Sequence, residues 1–335
     1  MKKISVRIPC YNEEGNIRPI CEAVIHVLQT ELPEYDYEIV IIDNKSRDRT
    51  RQIIRELCAE NRQIKAVFNV TNFGQFNSPF YGLLQCSGDC VISICADFQN
   101  PPEYIPQMVR KWEEGHSVVC MIKTSSDENK LMYWLRGRYY KMIKKISAVE
   151  QIEQFTGYGL YDRKFVEILR QLNDPTPFIR GIVAEYAPDH VEIPFNQPKR
   201  KSGKSHNNFY SLYDAAMLSI TSYSKVGMRL AMFIGLFCSL LSFLIGFVYL
   251  ILKLLYWNRF AAGQAPLLIM FSMIMSLTLV FLGFIGEYIS AINIRVMHRP
   301  LVIEEERINF TENVEQNGCT KAEEQPCLPD TEKEE

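Results

Sequence analysis

The sequence has little of what a nucleic-acid binder or a secreted, disulfide-bonded protein would need. Its 37 lysines and arginines are balanced by 39 acidic residues, for a formal net charge of −2, so the basic excess typical of nucleic-acid binding is absent. The 10 cysteines are scattered through apolar runs, as at Cys90, Cys120 and Cys238, and Met1–Val6 is no signal peptide. We therefore expect no nucleic-acid partner and a reduced, cytoplasmic setting.

The sequence also has few histidines and lacks a Walker A nucleotide-binding motif. The 5 histidines lack the spacing of metal ligands, which predicts structural roles for them. A basic loop at 197–206 contains Gly203 followed by Lys204 and Ser205, but it lacks the earlier glycine and the preceding strand of a Walker A loop. A solvated basic linker is the alternative interpretation of this loop.

What the chain does have is a regular alternation of strand and helix patterns. Its length of 335 residues, 47% hydrophobic and 23% charged, allows more than one folded unit, with some membrane character. Apolar runs predict strands at Ile4–Ile8, Tyr37–Ile42, Ile64–Phe68 and Asp89–Ile94, with a helix following each of the first three. This order predicts an α/β fold with a parallel sheet and right-handed crossovers.

Acidic residues follow three of these strands at the point where each strand ends. Glu13 follows the first, Asp43 the second and Asp97 the fourth. The carboxyl ends of parallel strands meet at one edge of a sheet, where ligands of α/β proteins bind. We therefore expect the three carboxylates to converge on one site.

The stretch after the fourth strand suggests a divalent cation. On an extended backbone Asp97 and Gln99 would point to the same side, and carboxylate and amide oxygens suit a hard cation that also binds substrate phosphates. The alternative is structural: Asp97 would cap a helix that begins near Pro102.

Several motifs, taken in order, resemble those of the family 2 glycosyltransferases, and in particular the polyprenyl-phosphate branch. They are Pro9-Cys10-Tyr11-Asn12-Glu13-Glu14, Ile41-Ile42-Asp43 with Ser46, Asp48 and Thr50, Asn72-Phe73-Gly74, and Ala96-Asp97-Phe98-Gln99 with Pro101-Pro102-Glu103. The resemblance covers roughly residues 4–310. It implies a GT-A fold with a mostly parallel central sheet, a nucleotide-sugar donor (a UDP-sugar being expected), Mg²⁺ or Mn²⁺, and inverting transfer of a hexose to a polyprenyl phosphate such as undecaprenyl phosphate, for cell-envelope polysaccharide.

The same resemblance assigns roles to individual residues. It implies that Pro9, Tyr11, Glu13 and Asp43 hold the nucleoside, that Asp97 and Gln99 approach the metal and diphosphate, that Lys123 and Arg136 grip the lipid phosphate, and that Arg200 and Lys204 belong to a mobile loop that closes over the donor. Asp97, Lys123 and Arg136 are thus the candidate catalytic residues.

The chain departs from the family pattern at several positions. Cys95 stands where the family has the first carboxylate of Asp-x-Asp, and Asn44 and Asn100 stand where acids are common. The family's Gly-Asp-Phe-Arg-Leu segment is here 156–160, Thr-Gly-Tyr-Gly-Leu, without Asp or Arg. A phosphate acceptor needs no base, because its second pKa of about 6 leaves it largely anionic. We expect Cys95 to be protonated and to pack as a small hydrophobe.

Two regions suggest membrane contact. Leu131–Ser147 places apolar and aromatic residues on one helical stripe among lysines and arginines, which indicates an interfacial helix; an ordinary surface helix is the alternative. Leu230–Leu252 and Phe260–Gly286 carry no charge and exceed the ~20 residues that cross a bilayer. Cationic flanks place the catalytic domain and the C-terminus in the cytoplasm.

The predicted organisation is a catalytic domain at 1–206, an amphipathic juxtamembrane helix at 207–225, a transmembrane region with two helices at 226–295, a cytoplasmic segment at 296–310 and a disordered tail at 311–335. Two alternatives stay open for function: a family 2 transferase that adds a sugar to a lipid-linked glycan, and a non-catalytic relative that binds nucleotide-sugar or lipid. The sequence leaves open the sugar, the nucleotide, the acceptor and whether the protein forms a homo-oligomer.

Overall fold

A computed structural model describes residues 1–125, 152–198, 264–297 and 299–310, together with single helical positions between 233 and 255. The predicted interfacial helix at 131–147, the juxtamembrane helix at 207–225 and the tail from 311 onward lie outside the described residues.

Strands and helices alternate through the first part of the chain. The strands are β1 (Lys3–Cys10), β2 (Asp36–Asp43), β3 (Ile64–Asn69), β4 (Cys90–Ser93), β5 (Val118–Ser125), β6 (Phe155–Asp162), β7 (Val191–Asn196) and β8 (Glu304–Ile308). The helices are α1 (Ile17–Glu31), α2 (Thr50–Glu60), α3 (Gly74–Leu84), α4 (Ile105–Glu113, after a 3₁₀ turn at Pro102–Tyr104), α5 (Arg163–Leu172), α6 (Ile179–Tyr186) and α7 (Gln264–Val296). The predicted strands and the helices between them are therefore all present.

The eight strands form one mixed sheet in the order β7-β5-β6-β4-β1-β2-β3-β8. Strands β4, β1, β2 and β3 run parallel, as predicted, and β5 pairs with β7 in parallel. Four of the seven neighbouring pairs are thus parallel, and the sheet is mixed because β6 is antiparallel to both β4 and β5, and β8 is antiparallel to β3. Antiparallel neighbours need no crossover helix, so the strand–helix alternation that predicted the parallel half gave no sign of them.

Alternating side chains of the strands supply a core on each face of the sheet. On one face Ile4, Val6 and Ile8 of β1 pack with residues of α1, α2 and α4. On the other face Val91 and Tyr161 pack with residues of α3, α5 and α6. Because successive side chains of a strand point to opposite faces of the sheet, Ser5 and Arg7 of β1 face the side that is covered by α3, α5 and α6. The polar edge described below lies above these two cores.

Helix α7 is the membrane candidate. Within the described residues, Leu277–Val296 is the one segment long and apolar enough to cross a bilayer, and large side chains on it such as Phe271 and Leu279 are exposed. The predicted second span continues past Gly286 through Val296, while most of the predicted first span, Leu230–Leu252, lies outside the described residues. Two spans are therefore not confirmed.

The segment that follows α7 returns to the sheet. Strand β8 pairs with β3 through Ala66↔Ile308 and Val67↔Arg307, and it forms the edge of the sheet. Asn309 donates from Nδ2 to the carbonyl oxygens of Cys58 and Ile64, at 2.7 and 2.8 Å. Residues from both ends of the chain thus build one sheet.

Candidate active site

The loops after β1 and β2 are bonded to each other. The backbone N–H of Asn12 donates to Ser46 Oγ at 2.9 Å, and that of Glu13 donates to Thr50 Oγ1 at 2.8 Å. In return, the N–H of Arg47 donates to Asn12 Oδ1 at 2.8 Å. These bonds fix the two loops as one surface at the carboxyl edge of the sheet.

Asp43, at the end of β2, is a fully buried carboxylate at this edge. Arg51 Nε lies 2.8 Å from its Oδ2, and the backbone N–H of Ser46 lies 3.2 Å from each oxygen. Burial raises the pKa of Asp43, and the contacts from Ser46 and Arg51 oppose that rise without cancelling it. Arg51 also reaches Glu305 of β8 at 2.9 Å, so the C-terminal strand supports the Asp43 carboxylate through this arginine.

The other residues predicted to hold the nucleoside lie in the loop after β1. Glu13 is buried, and its Oε2 accepts a hydrogen bond from Asn16 Nδ2 at 2.6 Å. Tyr11 is half-buried in the same loop, and Pro9 lies at the end of β1, where it pairs with Ile42 of β2. The structure thus places Pro9, Tyr11, Glu13 and Asp43 at the carboxyl ends of β1 and β2, and their role in holding a nucleoside stays a prediction.

Asn44 connects the β2 loop to the loop after β3. Its Nδ2 donates to Asn72 Oδ1 at 2.9 Å and to the Gly74 carbonyl at 3.0 Å. Its Oδ1 accepts from the N–H of Phe73 at 2.8 Å and from Asn69 Nδ2 at 3.2 Å. A carboxylate could not donate the first two bonds, which gives a physical reason for an amide where the family prefers an acid.

The segment after β4 differs from its prediction. Strand β4 ends at Ser93, Phe98 has a φ of 63°, and the N–H of Gln99 donates to Asp97 Oδ1 at 3.1 Å. This is a turn closed by the Asp97 side chain, so the prediction that Asp97 and Gln99 share one side of an extended strand is wrong. The capping alternative is not found either, because the residue before the 3₁₀ turn is Pro101.

Cys95 also differs from its prediction, because its side chain is exposed rather than packed as a small hydrophobe. The apolar strand that would have buried it stops two residues earlier, at Ser93. Asn100 explains the turn, since its buried Oδ1 accepts from the N–H of Cys95 at 2.9 Å. An amide at position 100 thus serves the backbone of this loop.

The residues present fit a metal ion only if the substrate supplies most of its ligands. Within the described ranges, no group of three or more His, Cys, Asp or Glu side chains could hold an ion. Asp97 brings one half-buried carboxylate and Gln99 one half-buried amide. Such a set suits Mg²⁺ or Mn²⁺ that is already bound by a diphosphate.

A cavity of about 370 Å³ adjoins this segment. Pro9 and Gln99, both predicted site residues, contribute to its wall, and so do Arg7, Tyr158, Phe178 and Arg180. Sequence reasoning assigned no functional role to the last four. An arginine inside the apolar strand β1 was the signal that could have found Arg7, because a buried cation in a strand is unusual.

The segment 156–160 lies in β6 beside the cavity. Gly157 has a φ of +92°, which favours glycine, and the Tyr158 hydroxyl donates to the Pro101 carbonyl at 2.6 Å. Burial raises the pKa of Tyr158, so its hydroxyl stays protonated and anchors the turn after β4. The segment offers no carboxylate to act as a base.

The predicted cations are only partly described. Lys123 lies in β5 opposite Phe195 of β7 and is 9% exposed. Arg136, Arg200 and Lys204 lie outside the described residues.

Comparisons with known proteins place the chain in a family. The family model described as "Glycosyl transferase family 2" matches residues 5–181. The bactoprenol glucosyl transferase of Shigella phage SfV is 32% identical over 302 residues, covering 90% of this chain and 97% of the relative. The undecaprenyl-phosphate 4-deoxy-4-formamido-L-arabinose transferase of Enterobacter sp. (strain 638) is 28% identical over 304 residues, covering 89% and 91%. A crystal structure of glucosyl-3-phosphoglycerate synthase from Mycobacterium tuberculosis with Mn²⁺, UDP and phosphoglyceric acid has a TM-score of 0.43 at 17% identity, covering 66% and 76%.

Proposed function

The chain belongs to glycosyl transferase family 2 and is a glycosyltransferase, and from this premise we propose that it transfers a hexose from a UDP-sugar, with inversion, to a polyprenyl phosphate such as undecaprenyl phosphate. One observation carries the proposal: the likeness to the phage bactoprenol glucosyl transferase extends over 90% of this chain, well beyond the residues that the family model matches. Because at most 33 of the 335 residues lie outside a match of 302 residues, the shared region includes α7 as well as most of the catalytic half.

The donor's nucleoside lies against the bonded loops after β1 and β2. The carboxylates of Asp43 and Glu13 accept hydrogen bonds from the base and the ribose, and Pro9 and Tyr11 form the remaining contacts. The rigidity of these loops supports the assignment, because side chains locked by their neighbours bind a ligand without an ordering cost.

The diphosphate lies at the segment after β4. Asp97 and Gln99 would hold Mg²⁺ or Mn²⁺ there, and the ion would neutralise the charge that develops on the leaving diphosphate. Arg200 and Lys204 approach the same phosphates from the basic loop. Asp97 is accordingly the residue whose loss should affect the chemical step itself.

The acceptor phosphate attacks the anomeric carbon from the face opposite the diphosphate. One phosphate oxygen forms the new bond to that carbon, the bond to the diphosphate oxygen breaks, and its electron pair leaves with the nucleoside diphosphate. Because the phosphate is already anionic, the segment 156–160 can lack a carboxylate without loss of the reaction. Lys123 and Arg136 position the phosphate, and positioning is the main requirement of such a step.

Strand β8 supports a membrane topology in which the catalytic domain and the C-terminus share one side. Helix α7 ends at Val296, and β8 begins at Glu304 within the sheet. At about 3.5 Å per residue, this connector cannot return across a bilayer core of ~30 Å. If α7 spans, the chain must also cross before it, and Leu230–Leu252 is the segment suited to that crossing. We place the shared side in the cytoplasm and Leu131–Ser147 at the headgroups.

Transfer assays on the full-length protein in detergent test the proposal. A panel of radiolabelled UDP-sugars is incubated with Mg²⁺ or Mn²⁺, with and without undecaprenyl phosphate, and labelled lipid is extracted. We expect label in the lipid only when the acceptor is present, and its loss in Asp97→Asn but not in Asp189→Asn, an exposed control. Transfer that requires a preformed lipid-linked glycan would replace polyprenyl phosphate as the acceptor.

A further inference from the structure

Arg7 is a cation buried beneath the cavity. It lies in the middle of β1, is 8% exposed, and donates from Nη2 to Ser93 Oγ of the neighbouring strand β4. Its side chain passes under α3, where a Cβ added at Gly82 would lie 3.4 Å from Arg7 Cδ. Arg7 also contributes to the cavity wall, beside Cys95 and Gln99.

Within the described part of the chain, the charge of Arg7 is not balanced by a carboxylate. Among the described residues no ion pair joins Arg7 to a carboxylate, and its buried Nε has no hydrogen-bond partner there. Burial accordingly lowers the pKa of Arg7, and none of the groups that oppose this effect is a carboxylate. A buried charge without a partner is costly, so a protein that keeps one uses it for another purpose or neutralises it with a ligand.

The rest of the cavity wall has the same sign. Among its described residues are two arginines, Arg7 and half-buried Arg180, and no aspartate or glutamate. The other lining side chains that flank them are largely apolar or amide groups, such as Phe178 and Gln99. A wall of this composition favours a ligand that carries an anionic oxygen group among apolar surroundings.

The sheet register relates Arg7 to a departure from the family pattern. Arg7 pairs with Ser93, and Ser93 pairs with Gly159, so the three form one row across β1, β4 and β6. Gly159 stands where the family segment has its arginine, and a Cβ there would lie 2.2 Å from the Val119 carbonyl oxygen. Since the backbone leaves no room for a side chain at 159, a cation in this row can come from β1.

We propose that Arg7 binds an anionic oxygen group that a substrate brings into the cavity. The inference rests on the proposed function for its list of substrates, which supply such a group in three ways. The acceptor brings a phosphate monoester, the donor brings a diphosphate, and the transferred sugar would bring a carboxylate if it is a uronic acid. Each makes the same charge-assisted hydrogen bonds to a guanidinium.

The test compares Arg7→Met with the full-length parent in detergent. Methionine keeps an unbranched side chain of similar reach and removes the charge. Arg18→Gln is the control, because Arg18 of α1 pairs with Glu60 of α2 on the protein surface and does not line the cavity. The probes are farnesyl phosphate, its neutral counterpart farnesol, UDP, UDP-glucose and UDP-glucuronate, and binding is measured by calorimetry.

We expect Arg7→Met to weaken at least one anionic probe by roughly tenfold to a hundredfold, the loss typical of a bond to a charged group, while Arg18→Gln binds like the parent. Loss for farnesyl phosphate but not for farnesol identifies the acceptor phosphate. Equal loss for UDP and both UDP-sugars identifies the diphosphate. Loss confined to UDP-glucuronate identifies a sugar carboxylate.

A stability measurement separates binding from a structural role. Because Arg7→Met removes an unbalanced buried charge, the ligand-free variant should melt at the same temperature as the parent or higher. Unchanged binding of every anionic probe by Arg7→Met would overturn the inference. A large fall in the melting temperature of both Arg7→Met and Arg7→Lys would also overturn it, because it would show that Arg7 has a structural role. If the parent binds these probes through Arg7 but transfers no sugar, the proposed function fails and this inference stands.

Discussion

The two sides of the candidate site are built differently. The loops after β1, β2 and β3 are joined by side-chain to backbone bonds such as Asn12–Ser46, Glu13–Thr50 and Asn44–Phe73. The segment after β4 is held by the local bonds from Gln99 to Asp97 and from Cys95 to Asn100, and by the bond from the Tyr158 hydroxyl of β6 to the Pro101 carbonyl. On the proposed assignment, the nucleoside side is therefore cross-linked by the protein's own hydrogen bonds before any ligand binds, whereas the reaction side would receive much of its charge from the metal and the phosphates.

Left-handed backbone occurs on both sides of the site. Asn12 and Lys45, in the loops after β1 and β2, have φ values of 55° and 66°; Asn tolerates this region well, whereas Lys is uncommon there. Phe98, in the reaction segment, has a φ of 63°, which is costly for a bulky side chain and persists only where neighbouring structure enforces it. Tyr158 provides part of that enforcement through its bond to Pro101.

The largest expected effect comes from Asp97→Asn. If Asp97 acts only on the reaction side, kcat for sugar transfer should fall by about a hundredfold to a thousandfold, because charge stabilisation of the leaving group is lost. The KM for the donor should change little. Steady-state kinetics with UDP-sugar and undecaprenyl phosphate measure both.

Asp43→Asn is the matched variant on the nucleoside side. It should raise the donor KM more than it lowers kcat, as the loss of uniform binding does. Equal losses of kcat in the two variants would contradict the division of the site into binding and reaction sides.

The next effect concerns the stability of the fold at acid pH, through Glu38 in the parallel part of the sheet. Glu38 of β2 is 1% exposed; burial raises its pKa, but hydrogen bonds from Lys65, Ser5, Ser87 and Lys3 outweigh this and lower it to about 2. A lowered carboxylate pKa stabilises the fold above the unfolded value and loses that contribution as pH falls toward the folded value. Between about pH 4.5 and pH 2 the folded protein should therefore lose about 3 kcal/mol from this group.

Chemical denaturation of the parent and Glu38→Gln across this pH range checks the prediction. The variant should be less stable at pH 7, and the gap between the two proteins should close as pH falls. A gap that is constant with pH would mean that the Glu38 charge contributes nothing.

The parallel half of the fold was predictable because each of its strands is a short apolar run followed by a polar loop. Strand β8 was not predictable, because the charged sequence Glu304–Ile308 is typical of a solvated segment. In the structure glutamates of this strand pair with arginines of α2, as in Arg51–Glu305 and Arg55–Glu306. Such pairings over more than 200 residues of sequence leave no local pattern.

The site was predictable to a similar degree. Glu13 and Asp43 lie where strand ends placed them, because loops at one edge of a parallel sheet must converge. The turn at Asp97 was missed because an Asp side chain can bond to the N–H two residues on, and this competes with the extended form. Arg7 was missed because strand alternation says which face a residue takes but not which ligand it meets.

Asn44→Asp gives a smaller expected effect. An aspartate carboxylate cannot donate to Asn72 Oδ1 or to the Gly74 carbonyl, so one of its oxygens would lie against these two acceptors without a hydrogen. We therefore expect the variant to lose about 2 kcal/mol of stability. The donor KM should rise, since the loop after β3 would keep the bond from the Phe73 N–H but lose the two bonds that the Asn44 amide donates. Denaturation and kinetics measure these, with Asn61→Asp, at the end of α2, as the control. Full stability in Asn44→Asp would show that the rigidity of this side does not depend on the amide.

The smallest expected effect is that of Cys95→Ser. Cys95 is exposed and lines the cavity, whereas Cys90 and Cys120 are buried in neighbouring strands. Maleimide should therefore modify Cys95 well before those two, as peptide mapping would show. Serine keeps a small polar group at the site, so Cys95→Ser should retain turnover within about twofold, a change of ~0.4 kcal/mol in activation free energy.

Cys95→Asp should tighten Mn²⁺ binding to the donor-free protein, because it adds a carboxylate close to Asp97. Strong donor-free Mn²⁺ binding by the parent, abolished in Cys95→Ser, would instead make the thiol a metal ligand and the reaction side as complete before substrate binding as the nucleoside side.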